Sequence, residues 1–417
     1  VEHDVVLDSA PVSSIVLTER QQFALDDIRD WMSQPYDGNP YVIHGFAGTG
    51  KSTLMGKILQ EVSMPGLALM APTGKAAKVL SSKTGKKATT IHKFLYKPVE
   101  DELSELQEQL GQLHAERDHA ELDDAIARYD DLIKTVDARI KELTDDGAGE
   151  DLRFMYRGPK EGTQTIVVDE TSMVAADIME DLLELNIRMI LMGDPGQLTP
   201  VKAKAGWDGM EPNVFLDQIV RTTGAGSGIN LAAQAIRKNR AYHNGEGFQI
   251  FDRGQLTWDQ YLEADLVLCG RNKLRQALNK GIRKKLGFTS PYPSPGEPVI
   301  CLGNNPQFDI VNGEILTLVE LDNTKRQIWS GWFRSDDDKV KHIKFWSPLF
   351  EDDQARTYVP AGIAMLTHAR CLTVHKAQGS EANRVVVCDD WTGSDYDKWL
   401  YTGVTRGKSH VSLVRSV

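Results

Sequence analysis

The sequence predicts an α/β protein with two parallel-sheet domains in tandem, a helical hairpin inserted in the first and a small β-barrel inserted in the second. Short apolar runs alternate with helical stretches in two sets. "YVIHG" (41–45), "GLALMAP" (66–72), "TIVVDE" (165–170) and "RMILMGD" (188–194) form one set. "DLVLCG" (265–270), "GIAMLTHA" (362–369), "RVVVCDD" (384–390) and "HVSLVRSV" (410–417) form the other. All eight read as buried parallel strands. Those of the first set end in Gly, Pro or acid, at the carboxyl edge where open α/β sheets bind ligands. An acidic stretch with heptad stripes interrupts the first set, and 296–360, with short β-like runs, the turn "VNGE" and scattered aromatics, interrupts the second. The expected boundaries are 1–95 plus 161–215, an insertion at 96–160, then 216–295 plus 361–417 around 296–360.

Composition limits the function classes. The chain of 417 residues has 41% hydrophobic and 26% charged residues, as in globular domains. No run of 18 apolar residues suggests a membrane span, and "VEHDVVLDSAPVSSIV" lacks the basic start and apolar core of a secretory signal. Cys269, Cys301, Cys371 and Cys388 are scattered without a CxxC, which argues against zinc and for reduced thiols in a cytoplasmic protein. The net charge of −11 looks unsuited to nucleic acid, but residues 100–151 hold 18 Asp/Glu and 5 Lys/Arg, a net of −13. The rest of the chain is therefore at +2 and has charge for a basic groove.

The acidic segment carries two stripes. Leu103, Leu106, Leu110 and Leu113 step by 3, 4, 3; Leu122, Ile126, Tyr129, Ile133, Val136, Ile140 and Leu143 alternate 4 and 3. Leu106 to Leu122 is 16 residues, so the stripes are out of phase, with "HAERDHAE" between them. Two helices folding back with a turn near 115–120 explain this better than one helix of about 65 Å with two seams. No Gly or Pro marks the turn.

"GFAGTGKST" (45–53) follows a strand and opens a helix, matching G-x-x-x-x-G-K-[ST] in the required context. Backbone N–H groups of Gly45, Ala47, Gly48, Thr49 and Gly50 suit phosphate, Lys51 suits the β- and γ-phosphates, and Ser52 and Thr53 open the helix. Ser52 suits Mg²⁺. "IVVDET" ends a strand with Asp169, suited to Mg²⁺ through water, and Glu170, suited to polarising water. A strand ending in two acids is by itself equally well a solvated strand end. "LMGDPGQLTP" (191–200) puts Gln197 where an amide senses a γ-phosphate. No Asn-Lys-x-Asp reads guanine, so ATP is the expected nucleotide.

In this order the motifs resemble those of superfamily 1 helicases, in particular the Dda and RecD group, whose members move 5′ to 3′. The likeness covers nearly the whole chain. "LTERQ" (17–21) resembles the Q motif, with Gln21 as adenine reader. The three elements above resemble motifs I, II and III. "APTGKAAKVL" (71–80) and "TTIHKFL" (89–95) resemble the DNA-touching motifs Ia and Ib, "IVRTTGAGSGINLAAQAIR" (219–237) motif IV, "LTVHKAQGSE" (372–381) motif V and "YTGVTRGKSH" (401–410) motif VI. The resemblance implies two RecA-like domains and an SH3-like barrel. It makes Arg406, otherwise part of a surface turn, an arginine inserted across the domain gap into the ATP site, with Arg221 as a second. It adds Gly379 and Glu381 to the nucleotide site.

It assigns DNA contact to Pro72, Thr73, Lys75, Thr90, His92, Thr373, His375 and Lys376, residue types suited to phosphate without base reading. His92 and His375 also read as packed or capping histidines. The acidic hairpin departs from the family's small wedge insertion, and its charge repels phosphate. Phe154, Met155 and Tyr156 at its basic foot are candidates for a wedge, or else anchor the insert. The expected partners are single-stranded DNA and single/double-strand junctions, with a replication or single-strand-binding protein at the hairpin. The protein is expected to be a monomer in a bacterial or phage-infected cell. Competing readings are a translocase that strips bound proteins and a nucleotide-switched loading factor.

Overall fold

Tyr41–Gly45 pairs in parallel with Arg188–Gly193 on one side and Val214–Leu216 on the other. The computed structural model describes residues 16–119, 123–145, 154–200, 203–220, 227–324, 326–352, 355–356 and 359–415. Across the first sheet the order is Ala88–Thr90, Leu67–Ala71, Thr165–Val168, Arg188–Gly193, Tyr41–Gly45, Val214–Leu216. The chain leaves Tyr41–Gly45 toward one side of the sheet and returns on the other at Val214–Leu216. A switch point therefore opens beyond Gly45, where such sheets bind ligands. Helices Glu19–Ser33, Lys51–Glu61 and Gly74–Thr84 bury Leu25, Ile28, Leu54, Met55, Ile58 and Leu80 in a core shared with these strands.

The second sheet is also parallel, in the order Cys371–Thr373, Leu266–Cys269, Ala382–Asp389, Gly407–Arg415, Phe248–Asp252. Helices Ser227–Arg237 and Tyr396–Val404 pack on it through Ile229, Ile236, Trp399 and Val404. The expected strand at 362–369 is not in it. Leu366–His368 instead pairs antiparallel with Pro298–Cys301, and Cys371–Thr373 takes the place in the second sheet. Leu366, Thr367 and His368 are all buried, so a strand inside a small β domain carries the same apolar signature as one inside a parallel sheet.

That β domain is a five-stranded antiparallel sheet in the order Val340–Trp346, Ile328–Ser335, Ile315–Asn323, Pro298–Cys301, Leu366–His368. Its ends approach each other: Ala364 N–H donates to Lys344 O at 2.9 Å and Trp346 N–H to Ala364 O at 3.0 Å. Phe333, Phe345, Ile343 and Leu316 fill the interior. Arg283, on helix Asn272–Lys285, grips Glu297 with two bonds of 2.8 and 3.0 Å, both side chains being buried.

Residues 90–163 form a separate compact unit. Helices Val99–Asp118 and Asp123–Asp145 pack antiparallel around Leu113, Ile133 and Val136, with Leu106, Leu110, Tyr129 and Ile140 alongside. Arg117 Nε reaches Asp130 at 2.5 Å across them. The first helix ends at Asp118, inside the stretch 115–120 where the turn is expected, and "HAERD" is helical because it consists of residues a helix accepts. At the base, Tyr96–Pro98 pairs with Phe154–Tyr156 in a two-stranded ribbon. Among the described residues no helix is long and apolar enough to cross a membrane.

Candidate functional site

The loop 45–53 lies at the switch point. Gly48 and Gly50 have φ of +81° and +76°, conformations that side chains with a Cβ rarely adopt. A Cβ on Gly45 would lie 2.9 Å from Thr49 Oγ1 and 3.0 Å from Leu216 Cβ. Thr49 is buried, its hydroxyl donating to Phe46 O at 2.8 Å. Helix Lys51–Glu61 begins at Gly50 with no side-chain cap, leaving its first N–H groups for an anion. Lys51 Nζ folds back onto the carbonyls of Gly45 and Phe46 at 2.8 and 3.0 Å.

Asp169 and Glu170 follow strand Thr165–Val168. Glu170 takes a left-handed φ of +53°, a strained conformation for a non-glycine. Burial raises the pKa of both carboxyls, and for Glu170 the Asp169 charge raises it further. The charges of Lys51 and Arg406 oppose the rise at Glu170. Glu170 Oε2 is buried without a partner. An orphaned acid beside Asp169, an uncapped helix start and the half-buried Ser52 fit a phosphate chain with a divalent cation, which Ser52 and Asp169 would hold. Thr53 is half-buried one position further along the same helix. Lys83 Nζ, from helix Gly74–Thr84, lies 3.4 Å from Ser52 Oγ.

Gln21 is buried against the back of the loop. Its Nε2 donates to Thr49 O at 2.9 Å, and its Oε1 accepts from Thr18 N in a capping box. The structure thus joins Gln21 to the phosphate loop and engages its amide there.

Arg406 is 3% exposed. Its guanidinium donates to Thr402 O at 2.9 Å, Ser380 O at 3.3 Å and Thr405 Oγ1 at 3.2 Å, all within the second sheet's domain. Val220 N–H donates to Gly48 O at 2.9 Å; Arg221, the next residue, lies outside the described residues. Gly379 has φ +74°, and Glu381 Oε2 lies 3.7 Å from Lys408 Nζ.

Sequence reasoning missed four residues that the fold brings to this cleft. Tyr401 hydroxyl accepts from Ala47 N–H at 3.1 Å and donates to Asp194 Oδ2 at 2.9 Å. Gln197 Nε2 donates to the same oxygen at 3.4 Å. The Arg237 guanidinium lies 3.1 Å from the centre of the Phe46 ring. Thr402 Oγ1 accepts from Leu198 N–H at 3.0 Å. Tyr401, Thr402, Asp194 and Arg237 all stood inside quoted motifs, but only the fold shows that they meet.

The strand-facing candidates fall in two groups. Thr73 caps helix Gly74–Thr84, accepting from Ala76 N–H at 3.2 Å, beside the half-buried Pro72. Lys75 Nζ donates to Ser380 Oγ, which brings 72–75 to the segment 373–380. Thr373 is buried, and Lys376 Nζ donates to Asn312 Oδ1 at 2.8 Å. His375 packs against Trp391 at 5.1 Å, and burial lowers its pKa. Lys75 and Lys376 are likewise lowered by burial. In the separate unit, Thr90 caps a short helix through Lys93 N–H, and exposed His92 stands 5.5 Å from the Tyr96 ring. Phe154, Met155 and Tyr156 form one strand of the ribbon, with Tyr156 48% exposed.

Comparisons with known proteins bear on the family and the fold. A family model described as an AAA domain matches residues 37–257, and one described as a UvrD-like helicase C-terminal domain matches 368–414. The chain is 24% identical to the RecBCD enzyme subunit RecD of Mycolicibacterium smegmatis, over 89% of this chain and 68% of that protein. Among solved structures it is similar to two coordinating Pif1 helicases at forked double-stranded DNA, with a TM-score of 0.56 and 17% identity over 95% of this chain and 92% of that one. It is also similar to Pif1 helicase from Bacteroides in complex with ADP-AlF3 and single-stranded DNA, with a TM-score of 0.53 and 16% identity over 95% and 92%. Pif1 helicase from Candida albicans gives a TM-score of 0.52 and 16% identity over 97% and 95%. At these identities the structures speak for the fold.

Proposed function

The chain belongs to the AAA-domain family and is a superfamily 1 helicase of the RecD and Pif1 group, an ATP-dependent DNA helicase; from that premise we propose how it works. It moves 5′ to 3′ on single-stranded DNA and opens duplex at single/double-strand junctions in replication, recombination or repair. The observation that carries the ATP-driven part of this reading is the meeting of the loop 45–53 with helix Tyr396–Val404 across the gap between two parallel sheets, and the direction comes from the family resemblance.

Loop N–H groups and Lys51 bind the phosphates of ATP, Glu170 orients the attacking water, and Gln197 senses the γ-phosphate. Ser52 and Asp169 would hold a magnesium ion, which would supply positive charge against the phosphates. Arg406, with Arg221, supplies positive charge from the second domain as negative charge builds on the transferring phosphoryl group. That charge draws the two sheets together, and product release lets them part. Thr73 and Lys75 on one side of the gap and Thr373 and Lys376 on the other then grip the strand alternately, as a monomer. The residues 154–156 serve as a wedge, and the acidic hairpin recruits a replication or single-strand-binding protein.

Purified Lys51→Ala protein tests the ATP site. DNA-stimulated ATP turnover is lost while the protein stays folded and still binds single-stranded DNA; normal turnover contradicts the assignment.

A further inference from the structure

One buried carboxylate is joined through a tyrosine from the far end of the chain to the loop 45–53. Asp194 is fully buried, and its Oδ1 accepts from Gly196 N–H at 2.9 Å. Its Oδ2 receives both the Tyr401 hydroxyl at 2.9 Å and Gln197 Nε2 at 3.4 Å. The same Tyr401 hydroxyl accepts from Ala47 N–H, so the phenol uses its donor and an acceptor lone pair together. We propose that Tyr401 is a positioning residue for ATP hydrolysis, linking the Ala47 amide of the phosphate loop to the carboxylate that holds Gln197. The inference rests on reading 45–53 as the ATP site.

Four observations support it. Tyr401 is 2% exposed and Gln197 4%, so water does not replace these bonds. Burial raises the phenol pKa, which keeps its proton available to Asp194. A Cβ on Gly196 would lie 3.1 Å from Tyr401 Cε1 and 3.3 Å from Arg237 Cδ, so the turn before Gln197 is shaped to admit the tyrosine ring. Finally, the second domain holds the same segment at Leu198, whose N–H donates to Thr402 Oγ1 at 3.0 Å and whose carbonyl accepts from Gln378 Nε2 at 3.3 Å. The segment 194–198 belongs to the first domain by sequence but is held at both ends by the second. The second domain thus fixes both ends of the segment that carries Gln197.

Tyr401→Phe keeps the ring and removes the hydroxyl. Ala47 N–H then loses its acceptor, and Asp194 loses one of its donors. A displaced Gln197 slows the chemical step more than it weakens nucleotide binding. Steady-state ATP turnover of the full chain, saturated with a thymidine oligonucleotide, is expected to show kcat lowered about tenfold with KM within about twofold. In a Gln197→Ala background, the same Tyr401→Phe change is expected to lower kcat no further, because both residues act through one oxygen. An unchanged kcat in Tyr401→Phe overturns the proposal, as do losses that multiply in the double variant. Lys51→Ala in the same assay separates the two levels. If Lys51→Ala still turns over ATP, the site reading fails and the relay with it. If Lys51→Ala is inactive and Tyr401→Phe matches the parent, the relay alone fails.

Discussion

Arg406 is held by hydrogen bonds to its own domain, yet its positive charge is felt by Glu170 in the other. Its side chain is buried and planar, and it donates to two carbonyls and a hydroxyl. A lysine has no matching fork, so it would not reproduce this geometry. For Arg406→Ala, nucleotide binding is expected to persist while turnover falls by about three to five orders of magnitude, the span for a supplied arginine. Fluorescent-nucleotide titration beside steady-state turnover checks this; weakened binding with unchanged turnover would contradict it. At this scale the sequence speaks clearly where chemistry is local. Lys51, Ser52, Asp169 and Glu170 sit in short motifs whose strand and loop context is written beside them. The Tyr401 bonds to Ala47 and Asp194 span 354 and 207 positions, and no local pattern announces such pairs.

Single elements divide in the same way. The heptad stripes at 103–143 show a period, which follows directly from how side chains project, whereas the strands of the first sheet are continuous apolar runs marked by the Gly, Pro or acid that ends each. Strand Leu366–His368 misleads because burial is its only signal, and burial does not tell an antiparallel partner from a parallel one. The first helix of the hairpin ends at Asp118 and the second begins at Asp123, so the break between them overlaps the expected turn at 115–120. The hairpin's seam is filled by its own Leu113, Ile133 and Val136 with Leu106, Leu110, Tyr129 and Ile140 beside them. It therefore needs no other surface to bury its apolar residues. Replacing 104–142 with a short Gly/Ser linker is expected to leave a folded protein with ATP turnover and single-strand binding within about fivefold of the parent. The exposed Lys97–Glu105 pair that goes with it is worth little, about 0–1 kcal/mol. Unwinding or partner recruitment is what changes. A collapse of strand affinity would show the hairpin to be a DNA clamp and the charge argument wrong.

For the whole molecule, the parallel sheets hold both halves of the candidate ATP site at a gap, and the strand-facing candidates Lys75 and Thr373 lie in different sheet domains. Lys75 also contacts Ser380 across that gap, so a change in domain spacing is felt at the loops assigned to the strand. The acidity of −13 in residues 100–151 leaves the remainder near neutral, consistent with a phosphate track outside the hairpin. We propose that ATP turnover drives this chain along single-stranded DNA from 5′ to 3′. Single-turnover unwinding of two matched duplexes, one with a 5′ single-stranded tail and one with a 3′ tail, measures it most directly. ATP-dependent opening of the 5′-tailed duplex and none of the 3′-tailed one is expected; opening of the 3′-tailed duplex alone, or of neither while DNA still stimulates ATP turnover, would contradict that direction of movement.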